Sequence, residues 1–253
     1  MTRPLQDTVA LVTGSSSGIG HATARRLAAD GAAVALVARR RDLLDELAST
    51  IRSDGGSALV LQADVTDKDQ VGDAVTRTVS ELGRLDIVVN DAGIMLLGPA
   101  LDTSTDEWDR MVALNVQGLL YVTHAALHLV QAATQGPRHV ADLVNISSTA
   151  GRVARPGNSV YSLTKFGIIA FGESLRQKLI KQRVRVSVVE PGTVDTELVS
   201  HLREDVRKAA RSQVASIEAM HPEDIADAVS YIVTRDRQVA VNEILVRAAE
   251  QTW

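Results

Sequence analysis

Tyr161 and Lys165 stand four positions apart in the stretch Val160-Tyr161-Ser162-Leu163-Thr164-Lys165-Phe166-Gly167. Apolar side chains recur at helical spacing through Leu163, Ile168, Ile169, Leu175 and Leu179, and Asn158 or Ser159 can cap the start. On such an amphipathic helix the phenol and the amine share a face, one turn apart. A free phenol with a pKa near ~10 is almost fully protonated at neutral pH, and a cation held close favours the phenolate. The pair can therefore run acid-base chemistry on an alcohol or a carbonyl. Ser147 and Ser148 follow an apolar run a short loop upstream, close enough for one of the two hydroxyls to reach the phenol. Asn115, in Ala113-Leu-Asn-Val-Gln117, is a poor interior helix former and reads as a residue with a polar task.

A second set of residues suits a dinucleotide. Thr13-Gly-Ser-Ser-Ser-Gly-Ile-Gly20 joins an apolar run to a helical stretch, with Gly14, Gly18 and Gly20 spaced G-x-x-x-G-x-G. Such glycines let the chain turn sharply and bring backbone N–H groups, here those around Ser16, Ser17 and Ile19, close to a pyrophosphate at the positive end of the helix. The next apolar run ends Val37-Ala38-Arg39-Arg40-Arg41. An acid that would hold a ribose 2′-hydroxyl is missing at Ala38, and three cations at a helix start oppose its macrodipole. A 2′-phosphate near Arg39 and Arg40 resolves that conflict, so NADP(H) is the expected cofactor over NAD(H). Asp64 can accept from an adenine amino group with Val65 packed nearby. Asn90, Ala92 and Gly93 would let a ligand lie against the backbone.

These residues need a frame that brings strand ends together. Apolar runs at Thr8–Thr13, Ala33–Ala38, Ala58–Gln62, Leu85–Asn90, Asp142–Ile146, Val184–Val189 and Val241–Val246 alternate with helical stretches at Gly20–Asp30, Asp42–Ser53, Gln70–Leu82, Asp106–Ala132, the Tyr161 segment and Pro222–Val233. Continuous apolar strands alternating with helices call for an α/β fold whose parallel sheet is covered on both faces. Right-handed crossovers make it doubly wound, with ligands at the carboxyl ends of the strands. No repeat or linker divides the sequence, so a single domain over 1–253 is expected.

Composition narrows the function. The 253 residues carry a net charge of −4 with acids and bases interspersed, which gives no general attraction to nucleic acid or to an anionic membrane. Aromatics are 3%, too few for a base-stacking platform. With no cysteine, neither a disulfide nor a thiolate metal site can form, and a reducing cytoplasmic setting is expected. The start has no apolar run resembling a signal peptide, and no later stretch is long enough to span a bilayer. His124 and His128 lie one helical turn apart but lack the Glu of a His-Glu-x-x-His motif, so no metal site is expected.

Taken together, Thr-Gly-x-x-x-Gly-x-Gly, Asp64-Val65, Asn90-Asp-Ala-Gly93, Asn115, Ser148 and Tyr161-x-x-x-Lys165 resemble the short-chain dehydrogenase/reductase family from about Thr8 to Val246. The resemblance implies a single Rossmann-type domain with a mostly parallel sheet of about seven strands flanked by helices on both faces. It implies that Tyr161 is the proton donor or acceptor, that Lys165 lowers its pKa and binds the nicotinamide ribose, and that Ser148 rather than Ser147 polarises the carbonyl. Asn115 would anchor a water linking Lys165 to solvent. Pro191 and Gly192 correspond to the family's turn after the sixth strand, with Val194 and Thr196 on the nicotinamide carboxamide. Asp91 departs from the usual Asn-Asn-Ala-Gly, and the last strand lacks the common Asp-Gly-Gly ending. Its ending Val241-Asn-Glu-Ile-Leu-Val-Arg-Ala248, with Asn90–Pro99 and Glu190–Glu197, is similar to the subgroup of NADP-dependent 3-hydroxy acid (serine-type) dehydrogenases and clavulanate dehydrogenase, which mostly form tetramers.

The resemblance thus implies an NADP(H)-dependent oxidoreductase that acts on a small carbonyl or alcohol and assembles as a homotetramer or homodimer. The substrate pocket is expected between Met95–Leu97, Arg152–Asn158 and a lid at about 197–220 that includes Arg203, Arg207, Lys208 and Arg211. The alternative is a non-catalytic NADP(H)-binding regulator or assembly subunit, which loss of Ser, Tyr or Lys would indicate; all three are present.

Overall fold

Each apolar run becomes a strand because a residue buried on both sheet faces has no solvent side to make polar. In a computed structural model that describes residues 3–215 and 217–252, the strands are β1 (Val9–Thr13), β2 (Ala33–Ala38), β3 (Ser57–Gln62), β4 (Ile87–Asn90), β5 (Ala141–Ile146), β6 (Val184–Pro191) and β7 (Glu243–Val246). They form one sheet in the order β3-β2-β1-β4-β5-β6-β7. Every pairing is parallel, so the sheet is parallel throughout rather than mostly so. The strand order reverses between β1 and β4, which opens a crevice beyond their carboxyl ends.

Helices α1 (Gly18–Ala29), α2 (Arg41–Ser53) and α8 (Pro222–Val233) cover one face around a core that includes Leu27, Leu44, Ile225 and Val229. Helices α3 (Lys68–Leu82), α5 (Leu119–Ala133) and α6 (Ser159–Leu179) cover the other around Val75, Val122, Leu143 and Leu179. The remaining helices are α4 (Thr105–Met111) and α7 (Glu204–Ala215). No helix among the described residues is long and apolar enough to cross a membrane.

Two local features differ from expectation. The single long helix expected over Asp106–Ala132 is α4 and α5 joined by a π-type turn at Val112–Gly118, which contains Asn115. A widened turn changes the helical period by too little to show in hydrophobic spacing, yet it re-aims the polar groups it carries. At the start of α6, Asn158 holds the cap position without capping, because its Oδ1 accepts from the Arg155 N–H at 2.9 Å.

Candidate active site

The glycine-rich turn is shaped by what lies beneath it. Gly14 has φ +72°, and a Cβ there would lie 2.9 Å from the Ala92 nitrogen. A Cβ on Gly20 would come within 2.6 Å of both the Gly14 carbonyl and an Asp91 carboxyl oxygen. The turn is thus pressed onto the end of β4, where the Thr13 hydroxyl accepts from the Asp91 and Ala92 N–H groups, both at 3.1 Å. Ser17 precedes α1 without capping it, which leaves the first N–H groups and the positive helix end facing the crevice.

The three arginines after β2 separate. Arg40 donates to Ser16 Oγ at 3.0 Å and to Ser17 Oγ at 2.7 Å, and pairs with Glu197 at 3.0 Å. Arg39 faces Asp64 at 3.8 Å across the crevice mouth. Arg41 turns back along α2 to Asp45. One Asp64 oxygen is already engaged by the backbone and hydroxyl of Thr66, and the other is the one that faces Arg39.

At the far end of the same cleft the chemical residues converge. Lys165 Nζ donates to the Ile146 carbonyl at 2.9 Å and lies 5.7 Å from the centre of the Tyr161 ring. Tyr161 faces the Ser148 side chain and is buried in a small apolar cluster with Ile94, Leu96 and Met111. The neighbouring serines have different tasks: Ser147 Oγ donates to the Lys165 carbonyl at 2.9 Å, tying β5 to α6, and is turned from the phenol. Of the two hydroxyls left open by the sequence, it is that of Ser148 which meets Tyr161.

Electrostatics run against one expectation. Burial pushes the Tyr161 phenol up to about 12, opposed by the Ser148 hydrogen bond and reinforced by the charge of Asp91. Burial also pushes the Lys165 amine down to about 8, with Asp91 acting to raise it. The expected lowering of the phenol by its cation is therefore not found in this structure, because loss of water weakens the charge of both groups at once.

Gly14, Ser16, Ser17, Gly18, Ile19, Arg39, Arg40, Asp64, Val65, Ala92, Gly93, Ser148, Tyr161, Lys165, Pro191, Gly192, Val194 and Thr196 all line this cleft. Three expected residues do not. Gly20 lies under the turn, where its lack of a side chain permits the packing described above. Asn90 is buried, and its amide donates to Thr123 Oγ1 at 3.1 Å and Asn145 Oδ1 at 2.9 Å, which joins β4 to β5 and α5. Asn115 spends its side chain on both backbone groups of Ile94, at 2.8 and 2.9 Å, and on Thr164 at 3.2 Å. It pins the loop after β4 to the π-type turn, a positioning task in place of the expected water anchor.

Residues to which the sequence assigns no cofactor-facing role also enter. Asp91 lines the cleft, and its carboxyl is pushed up to about 7 by burial, opposed by Lys165 and the Gly20 N–H. Glu197 and His201 line it from the short helical turn Glu197–His201.

A second chamber opens beside Ser148 and Tyr161. Met95, Leu97, Val153, Leu198, Val199 and Val206 give it mostly apolar walls, and Gln251 closes it by accepting from the Thr193 N–H at 2.7 Å. Arg152, expected at its wall, is turned away onto Glu190 and Glu243. Arg203 is drawn to the Asp102 carbonyl at 2.8 Å, and Arg207 pairs with Glu204. The Arg211 side chain lies outside the described residues.

The sequence signature of the family described as short chain dehydrogenase matches residues 8–207. An uncharacterized oxidoreductase of Staphylococcus aureus is 37% identical over 243 residues, which cover 96% of this chain and 98% of the relative. The glycine betaine reductase ATRR of Emericella nidulans is 39% identical over 250 residues, 98% of this chain, although the chain spans only 19% of that protein's length. A solved structure, the closed form of serine dehydrogenase complexed with NADP+, shares the fold with a TM-score of 0.89 at 30% identity, over 97% of each chain. Fold, cleft and signature agree: this chain belongs to the short chain dehydrogenase family of oxidoreductases.

Proposed function

We propose that the protein is an NADP(H)-dependent oxidoreductase that interconverts a carbonyl compound and its alcohol, either by ketone or aldehyde reduction or by oxidation of an alcohol or hydroxy acid. The observation that carries this reading is that Ser148 and Tyr161, with Lys165 one helical turn from the phenol, stand together at the junction of the dinucleotide cleft and the apolar chamber. The cleft suits the cofactor: glycines leave room for a pyrophosphate at a helix N-terminus, and Arg40 with Ser16 and Ser17 offers donors for a 2′-phosphate. When bound, the nicotinamide supplies or accepts the hydride.

The chain's own residues manage orientation and protons. Ser148 and Tyr161 hold the substrate oxygen from two sides, and Tyr161 gives or takes its proton. Lys165 holds the nicotinamide ribose and supplies positive charge to the developing phenolate. Ile146 and Asn115 fix Lys165 and the loop opposite it. Val194 and Thr196 face the carboxamide end of the cleft. Residues 197–220 form the lid, anchored where Val194 pairs with Met220. The intact Ser148–Tyr161–Lys165 set leaves a purely regulatory or scaffolding role without a supporting observation.

The NADP+ complex of the serine dehydrogenase relative supports the cofactor choice. Exposed Leu163 and Phe166 on α6 and Leu120 on α5 support self-association, as a homotetramer or a homodimer. The lack of cysteine supports a cytoplasmic setting. Tyr161→Phe is the test. It should lower kcat by about 10²–10⁴-fold while NADPH affinity stays nearly unchanged; a near-normal rate would remove Tyr161 from the reaction. A panel of ketones, aldehydes and hydroxy acids, read by nicotinamide absorbance with NADPH and with NADH, assigns substrate class and cofactor.

A further inference from the structure

Arg40, Ser16 and Ser17 make up the donor set expected to meet a 2′-phosphate, and that set already holds an anion. Glu197 Oε2 lies 3.0 Å from Arg40 Nη1, beside the Ser17 hydroxyl that the same guanidinium engages. Arg40 completes the arrangement through Nε and Nη2, which reach Ser16 at 3.2 and 3.0 Å, and through Nη2 to Ser17 at 2.7 Å. The Arg40 contact is the main reason the Glu197 carboxyl sits below the usual carboxylate range.

The carboxylate comes from the lid. Glu197 is the first residue of the Glu197–His201 turn, whose cap Thr196 faces Gly18, where a Cβ would be 3.4 Å from Thr196 Cγ2. The pair therefore closes a ring between the glycine-rich turn, the end of β2 and the start of the lid. We infer that Glu197 is a specificity-determining residue: an internal anion that occupies the 2′-phosphate cradle and must be displaced by NADP(H), so that the 2′-phosphate alone unlatches the lid from Arg40. The inference rests on the NADP(H) reading above.

The strength of the latch suits displacement. Arg40 and Glu197 are 46% and 55% exposed, so their attraction is screened by water and worth little beside that of a bound phosphate. A phosphate monoester carries about −1.5 to −2 charge and three acceptor oxygens where the carboxylate has one charge and two. An NAD(H) molecule has a ribose hydroxyl at this position, with no charge to compete for Arg40.

Dissociation constants for NADP+ and NAD+ are measured by calorimetry on the full chain and on Glu197→Gln, Arg40→Gln and Asp45→Asn. Glu197→Gln should tighten NADP+ by about fivefold, equivalent to about 1 kcal/mol, and change NAD+ by less than about twofold. Asp45→Asn removes a neighbouring acid that pairs with Arg41 instead, and should leave both constants unchanged. Unaltered or weaker NADP+ binding in Glu197→Gln, an equal gain for NAD+, or the same gain in Asp45→Asn would overturn the latch. The cofactor reading fails separately, if the unmodified chain does not prefer NADP+ and Arg40→Gln changes neither constant; the latch then falls with it.

Discussion

The Lys165 ammonium lies 5.7 Å from the centre of the Tyr161 ring and donates to the Ile146 carbonyl at 2.9 Å, which fixes the cation beside the phenol rather than on it. Both groups are stripped of water, so burial drives the phenol up to about 12 and the amine down to about 8. The third charge in the site is Asp91, which acts on both and is pushed up to about 7 itself.

Asp91 and Lys165 together predict a stability minimum near neutral pH. The folded pKa of Asp91 is raised from 3.8 to about 7, so its contribution is fully present below 3.8 and is lost as pH rises through about 7. Lys165 is depressed from 10.5 to about 8, so its contribution is present above 10.5 and is lost as pH falls through about 8. Both penalties coincide between about 7 and 8. Asp91→Asn keeps an acceptor for the Gly20 N–H and removes the acid limb. The Tm advantage of this variant over the parent should therefore widen from about pH 5 to about pH 8. An equal shift at both values would mean that Asp91 acts by packing alone.

Ser147 and Ser148 should separate stability from catalysis although they are neighbours. The buried Ser147 hydroxyl ties the Lys165 carbonyl to β5, so Ser147→Ala should cost about 1 kcal/mol in urea unfolding. Its kcat should be nearly unchanged. Ser148→Ala gives up the acceptor of the Ala150 N–H, a loss of no more than about 1 kcal/mol, but should lose about 10²-fold in kcat, the cost of removing one donor from a developing oxyanion. Exchanged phenotypes would contradict the geometry.

Two glycines of the turn, Gly20 and Gly18, are predicted to fail in different ways. Gly20→Ala puts a methyl within 2.6 Å of the Gly14 carbonyl, which is backbone and cannot move aside cheaply, so the fold itself should suffer. Gly18→Ala meets nothing closer than 3.4 Å and carries only the strain of φ +56°, about 1–2 kcal/mol. It should fold, with a small drop in Tm, and bind NADPH more than tenfold less tightly because the methyl stands where the pyrophosphate must approach (~1.4 kcal/mol or more). A Gly18→Ala protein with unaltered NADPH affinity would place the pyrophosphate elsewhere.

The sheet could be read from the chain because parallel strands buried on both faces are continuous apolar runs, as in Val9–Thr13 and Ala33–Ala38. Tyr161, Lys165 and the glycines were legible for a related reason: their spacing on one helix or in one turn is local. What escaped is long-range. Glu197 meets Arg40 across 157 positions, and Gln251 meets Thr193 across 58, with no local pattern to announce either contact. Asn115 stands out in the sequence as a poor helix former and Asn90 as part of a strand end open to a ligand, but spacing cannot say whether an amide faces a ligand or a neighbouring group of the protein. Asp91 was visible as a departure from the family's asparagine. Its effect on Lys165 and Tyr161 depends on how deeply all three are buried, which only the fold decides.

Arg152 offers the last test, since it leaves the expected chamber wall for a buried partner. Glu190 at the end of β6 has no exposed surface, and Arg152 forks onto its two oxygens at 2.5 and 2.6 Å while also pairing with Glu243 on β7. Removing one partner of such a pair strands the other charge in a medium that solvates it poorly. Arg152 is itself 40% exposed, so water screens part of this loss, and Arg152→Met should cost about 1–3 kcal/mol in unfolding free energy. Adding Glu190→Gln in the same chain removes the stranded charge and should recover more than half of the loss. The Thr149–Gly151 turn before Arg152 begins the chamber's wall, so Arg152→Met should also raise KM for the carbonyl substrate while leaving NADPH affinity unchanged. If the double variant is no more stable than the single one, Arg152 contributes through the packing of its stem, and the buried charge on Glu190 is balanced elsewhere.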